Sequence, residues 1–529
     1  MVAGLSLFAV ADEGQHHEQL TQEQLGTVHF PVSCTPDAQK SFEKGVALLH
    51  SFWYEEAEKR FVEVEKQDPE CAMAYWGEGM SHWHQLWDQP KEAAIERAEG
   101  ELKKADEAKA KTGRERDYIG ALKAFYSNSG KLDHEARARA YSEAMEKVYR
   151  KYPDDHEGAA FYALSLLASE PDGDTTFANR KKAGAILEKL FAIEPNHPGI
   201  AHYLIHTYDK PQLAELGLPA ARRYAQIAPM APHALHMPSH IFARLGMWQE
   251  DIDSNLASIA ATRQSAAMHM GGEGHQFHAM DFLVHAYLQN GREADALQVM
   301  EEVKAMPAMK DMYGMGYDPR ISALVAFPAR YALELHHWNK AASLTPVPEA
   351  QTGDSAITYW ARAIGAARTG NLKQAREDIA HLERVHQELL AKKKKGSAEA
   401  VENGKTEAAA WLHHAEGNND AALAALRTLA AKQESTGESS ESGIPAREML
   451  ADMLLDMKQG EQALAEYKAA LKFTPNRFNS LYGAAQAAEL AGQLSQAEEY
   501  YAQVVKVCEG SNSSRPELAK AKQAVVAGK

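Results

Sequence analysis

Two stretches near the C-terminus, "IPAREMLADMLLDMKQGEQALAEYKAALKFTPN" and "FNSLYGAAQAAELAGQLSQAEEYYAQVVKVCEG", align at a constant shift of 34 residues. Ala451 falls on Ala485, Ala463 on Ala497, Tyr467 on Tyr501 and Ala470 on Val504. The same frame runs through "AQKSFEKGVALLHSFWYEEAEKRFVEVEKQDPE" by Gly45, Ala57, Phe61 and Pro69, and Tyr75 and Gly79 open the next unit. A period of this length predicts one supersecondary unit per repeat, stacked on its neighbours. Each unit reads as two amphipathic helices. Small residues let the helices approach, Phe61, Tyr467 and Tyr501 fill the space between them, and Pro69 or Pro475 ends the second helix.

This pattern resembles the tetratricopeptide repeat (TPR) family, over most of residues 38–508, with further units around Ala183 and Pro195, Ala220 and Pro232, Ala296, Ala375 and Ala422. The resemblance implies an all-α fold: a right-handed TPR-type α-solenoid with insertions and a smaller C-terminal array. Residues 1–11 read as a clipped signal peptide and 12–37 as an N-terminal segment. The main array spans 38–390, a linker 391–405 ("AKKKKGSAEAVENGK") and the C-terminal array 406–529. The stretches "VALLHSFWYEEAEKRF", "DPECAMAYWG" and "IAHYLIHTYD" also resemble a group of long bacterial TPR proteins. That likeness implies a bacterial source and supplies no catalytic residue.

Charge and composition bound the partners. With 73 acidic against 57 basic residues the formal charge is −16, which argues against a nucleic-acid partner. No segment approaches the roughly 20 apolar residues that span a bilayer. The apolar start "MVAGLSLFAVADEG" ends in a small-x-small step at Ala9-Val10-Ala11 but lacks a basic n-region. It reads as a truncated signal peptide and hence a periplasmic or secreted chain; the alternative is a plain apolar tail on a cytoplasmic one. Cys34 and Cys71 stand about one repeat apart, at the same end of adjacent helices, where a disulfide can form if the Cα atoms come within about 7 Å.

Histidine is the residue out of proportion. Ten of 24 fall between His197 and His285. In "HYLIHTYD", His202, His206 and Asp209 share a stripe rotated by about 110° from the packing residues, at about 100° per residue. "FHAMDFLVHAY" repeats this with His278, Asp281 and His285. Between them, "APHALHMPSHIF" puts His236 at a helix entrance, set by Pro238, and His240 one turn inside. Three neighbouring helices thus aim imidazoles and carboxylates at one concave groove, a donor set that suits copper or zinc. The competing reading is a polar groove for a peptide or partner protein.

Other signals are weaker. Met306, Met309, Met312 and Met315 are spaced three apart, a soft-donor pattern for Cu(I) or plain core filler. His50, Trp53, His84, Trp87 and His233 form a set that could anchor a partner or cap the solenoid. No nucleophile–base pair emerges. The sequence therefore predicts a non-enzymatic TPR scaffold that binds a peptide or protein. The alternative is an exported copper- or zinc-binding protein, with a metal-dependent hydrolase a distant third.

Overall fold

The computed structural model describes residues 20–86, 89–309, 317–437 and 443–527, and among these every regular element is an α-helix. The expected signal peptide lies outside the described residues, as do Trp87, Met312 and Met315. Short turns join helices that pack on their sequence neighbours, which makes the chain a TPR-type α-solenoid.

The alternation of small and large side chains explains the hairpins. Phe61, on helix Tyr54–Gln67, lies between Gly45 on the preceding helix and Gly77 on the following one. A Cβ at Gly45 would stand 2.8 Å from that ring, and one at Gly77 would overlap it. Tyr467 and Gly483 repeat the relation in helices Gly460–Phe473 and Phe478–Leu490. Each buried ring of this kind contributes roughly 1.5–3 kcal/mol.

The N-terminal array curls tightly enough for its first hairpin to touch its later units. His202 Nδ1 donates to the His50 carbonyl at 2.6 Å, and the His50 ring reaches the Tyr203 hydroxyl at 2.8 Å. Trp53 Nε1 donates to the Met270 carbonyl at 3.1 Å. The concave side is therefore filled with side chains. A disulfide joins Cys34 and Cys71, with Cα atoms 4.9 Å apart, and ties the entry of the first repeat to the second.

Residues 391–405, expected to be a linker, are helical. Helix Leu372–Ala391 turns at Lys392–Lys394 straight into helix Lys395–Ala415, and the two pack together. The lysines are exposed while Ala398 and Val401 enter the core. The charge run is the solvated side of a hairpin, and the array continues through it. The core changes hands near residue 330 instead. One apolar cluster gathers residues from Leu20 to Met270, a second from Ala243 to Leu335, and a third from Ala329 to Cys508 and beyond.

The C-terminal repeats fold back on the middle of the chain. Arg477, fully buried, pairs with Glu334 at 2.6 Å and Glu448 at 2.7 Å. Trp248 Nε1 donates to the Asn476 carbonyl at 2.8 Å, and Asn476 Nδ2 to the Gly246 carbonyl at 3.1 Å. Gly246 has φ +64°, and a side chain there would run into the Pro475 carbonyl, so only glycine fits.

Candidate metal centre

The imidazoles regroup across helices. Helix Pro198–Tyr208 carries His202 and His206 one turn apart on one face. The next inner helix is broken by Pro238 into Pro232–His236 and Pro238–Arg244, because proline cannot donate to the helical ladder. These pieces supply His233, His236 and His240, and helix His275–Gln289 supplies His278. The result is two triads, His202/His206/His233 and His236/His240/His278. Within each, one ring nitrogen per residue lies within 4.8 Å of the other two.

The proton positions follow from fixed acceptors. His202 Nδ1 faces a backbone carbonyl, so that nitrogen carries the proton and Nε2 is bare. His240 Nδ1 donates to Asp209 Oδ2 at 2.8 Å. Burial would raise the Asp209 carboxyl, but Arg244 and His240 outweigh it and hold the group well below the usual range, so it can only accept. His236 Nδ1 meets Asn255 Oδ1 at 2.7 Å, while Asn255 Nδ2 donates to the Asp251 carbonyl at 2.9 Å and Asp251 Oδ1 at 2.6 Å. The backbone carbonyl can only accept, which fixes the amide orientation and, through it, the proton on His236 Nδ1.

In one triad the bare His202 Nε2 lies 3.1 Å from His233 Nε2. In the other, two bare nitrogens face each other: His236 Nε2 and His240 Nε2 are 3.0 Å apart. Two lone pairs at that distance repel unless a cation, a proton or a metal ion, lies between them. Two metal–nitrogen bonds of about 2.0–2.1 Å at tetrahedral to right angles place their nitrogens about 2.9–3.4 Å apart. A backbone carbonyl, a carboxylate or an amide on the far ring nitrogen is also the usual support for a ligating histidine. Buried among the rings, His206 Nε2 has no hydrogen-bond partner among the described residues.

Protonation is disfavoured. Burial, followed by neighbouring rings, pushes His206, His233 and His236 well below the ordinary value. Burial takes His202 down to about 3, opposed by its bond to the His50 carbonyl. Phe52 closes one side, its ring centroid 4.3 Å from His202 and 5.6 Å from both His206 and His233. Phe282 flanks His236, His240 and His278 at 4.6–5.3 Å. His278 is exposed and His206 half-buried, so the centre opens on that edge.

Several expected residues play other parts. Asp209 stands behind His240, bonded to it and to Arg244, outside both triads. Asp281 pairs with Arg330 at 2.7 Å. His285 packs against Trp248, with Arg477 and Arg330 nearby, away from the triads. The partner-anchoring set is corrected by burial. His50, Trp53 and His233 are 0–3% exposed and offer no surface to a partner. His50 and His197 instead hold Glu157 between them at 2.8 and 2.9 Å. Burial would raise the Glu157 carboxyl, yet the two rings keep it well below the usual range. His84 is half-buried against Tyr54, at 4.3 Å between rings. Met306 and Met309 pack on the apolar cluster around Phe282 and Phe327.

Sequence reasoning missed Glu157, Asn255 and Phe52 as supports, and placed His233 outside the ligand set. Its three-residue spacing from His236 on one proline-bounded helix was the available signal.

No family model and no curated protein matches the chain. Solved structures of similar helical build include the human IFIT1 dimer with m7Gppp-AAAA, at 12% identity, 87% of this chain, 95% of that one and a TM-score of 0.37. A monomeric IFIT1 mutant with Gppp-AAAA is similar at 13% identity, 89% of this chain, 100% of that one and a TM-score of 0.32. The expected absence of a nucleic-acid partner is corrected by these neighbours. Those structures hold capped RNA, and the exclusion is withdrawn.

Proposed function

We propose that this helical-repeat protein binds a transition metal, copper or zinc, in its two histidine triads. The observation that carries the reading is the pair of facing Nε2 atoms, His236 to His240 at 3.0 Å, whose far nitrogens are each committed to a fixed acceptor. Three neutral imidazoles with an open position suit either metal. The Cys34–Cys71 disulfide supports an exported chain, because such bonds persist in oxidising compartments. A hydrolytic role gains no support from Asp209, which is engaged by His240 and Arg244 and cannot serve as a general base.

The test is elemental analysis of protein purified without a histidine tag, beside a His202→Ala/His206→Ala variant. Stoichiometric metal in the wild type, reduced in the variant, is the expected result. No bound metal after loading with copper and with zinc at neutral pH overturns the reading.

A peptide or protein partner keeps one foothold. A cavity of about 500 Å³ in the C-terminal repeats is lined by Trp338, Arg368, Trp411, Tyr482 and Lys520. Arg368 lies over both indoles, 4.9 Å from Trp338 and 4.4 Å from Trp411. A peptide library screened against wild type and Trp411→Ala separates this reading from the first, since loss of the indole leaves the metal triads untouched.

A further inference from the structure

Resting on the metal reading above, we infer that the two triads form one dinuclear centre that takes a small bridging anion. The spacing comes from a single short helix. Pro232–His236 gives His233 to one triad and His236 to the other, three residues on, a rise of about 4.5 Å at 1.5 Å per residue. Rings of opposite triads accordingly stand side by side. The centroids of His233 and His236 are 6.0 Å apart and those of His206 and His240 are 6.2 Å apart. Two ions held by adjoining triads are thereby neighbours, the arrangement in which two-metal sites, with ions about 3.5–4 Å apart, let one ligand span both.

Charge names the ligand. All six donors are imidazoles, which add no negative charge as ligands, and neither triad includes a carboxylate. The neighbouring carboxylates, Asp209 and Asp281, are already shared with Arg244 at 2.9 Å and Arg330 at 2.7 Å. Two divalent ions in a buried pocket without an anion carry a heavy desolvation cost. A small anion drawn between them lowers it. Hydroxide fits, as does any compact anion with two donor lone pairs. The exposed edge at His278 and the half-buried His206 give such a ligand its way in.

The experiment loads the full chain with Cu(II) and titrates azide as the probe. Two coppers per chain are expected, with an electron paramagnetic resonance intensity well below two spins, because a shared ligand couples the ions. One azide per copper pair should then produce a single charge-transfer band. His278→Ala, a substitution at an exposed position, should halve the copper to one per chain and restore a full one-spin signal. Two coppers with full two-spin intensity that azide leaves unchanged would overturn the dinuclear assignment and leave the metal reading standing. One copper per wild-type chain would do the same. No copper at all would overturn the dinuclear copper centre, and no zinc either would overturn the metal reading with it. The wild-type spin count decides the question even if a variant fails to fold.

Discussion

Asp209 Oδ2 accepts the His240 Nδ1 proton at 2.8 Å while its other oxygen takes the Arg244 Nε proton at 2.9 Å. The carboxylate thereby fixes one imidazole's tautomer and is itself held charged. Asp209→Asn keeps the shape and removes the charge. Loss of such a support lowers metal affinity by about 10–100-fold. The weakening should fall on the His236/His240/His278 triad, which a chelator-competition titration would show as one weakened site beside one unchanged. Equal weakening of both sites, or of neither, would count against the assigned role.

A second expectation concerns pH and helix Lys395–Ala415. Burial pushes the Glu407 carboxyl up from 4.5 to about 8. The unfolded chain releases this proton near 4.5, the folded one only near 8, so the native state binds more protons between those values. Its contribution to stability is whole below pH 4.5 and is lost as pH rises toward 8. Glu407→Gln removes the dependence, a difference of a few kcal/mol at about 1.36 kcal/mol per pKa unit. Urea denaturation at pH 4 and pH 8 should show the variant gaining over wild type only at the higher pH.

Arg477 offers a third test. Replacing it with alanine strands Glu334 and Glu448 together in the core. Breaking a buried pair in this way costs about 3–5 kcal/mol. The cost falls on the seam where the C-terminal repeats meet the middle of the chain, so limited proteolysis should cut the C-terminal repeats faster in the variant. An unchanged digestion pattern would mean that the seam does not depend on this pairing.

Reduction of Cys34–Cys71 opens a covalent loop of 37 residues. Chain-entropy arithmetic for such a loop gives about 4 kcal/mol. A Cys34→Ser chain should therefore melt lower than the oxidised wild type and match the wild type kept in reductant. A variant as stable as the oxidised form would remove the bridge from the account of stability.

The repeat frame could be read from the sequence because packing prints itself at fixed intervals. Phe61 needs Gly45 and Tyr467 needs Gly483, whichever neighbours surround them. Periodicity also turned the histidines inward, since it reports the face a residue occupies. It does not report which ring on another helix comes opposite. Grouping by helix therefore put His202, His206 and Asp209 together, whereas the fold pairs His202 with His233 and sets Asp209 behind His240. Glu157 and Phe52 were invisible for a related reason. Glu157 meets His50 across 107 residues of chain, and nothing local marks either one. At 391–396 the lysine run looked like an unstructured joint because it is charged, although its register already placed Ala398 and Val401 on a buried face.

The fold-back at Gly246 also bears on the order of assembly. Asn476 reaches that turn across 230 residues, so the contact cannot form until almost the whole polypeptide has emerged and both ends have condensed. The hairpins from Pro36 to Gln289 need no such wait. Maturation then has a natural sequence, in which the imidazole-lined interior is complete while the last repeats are still seeking their berth.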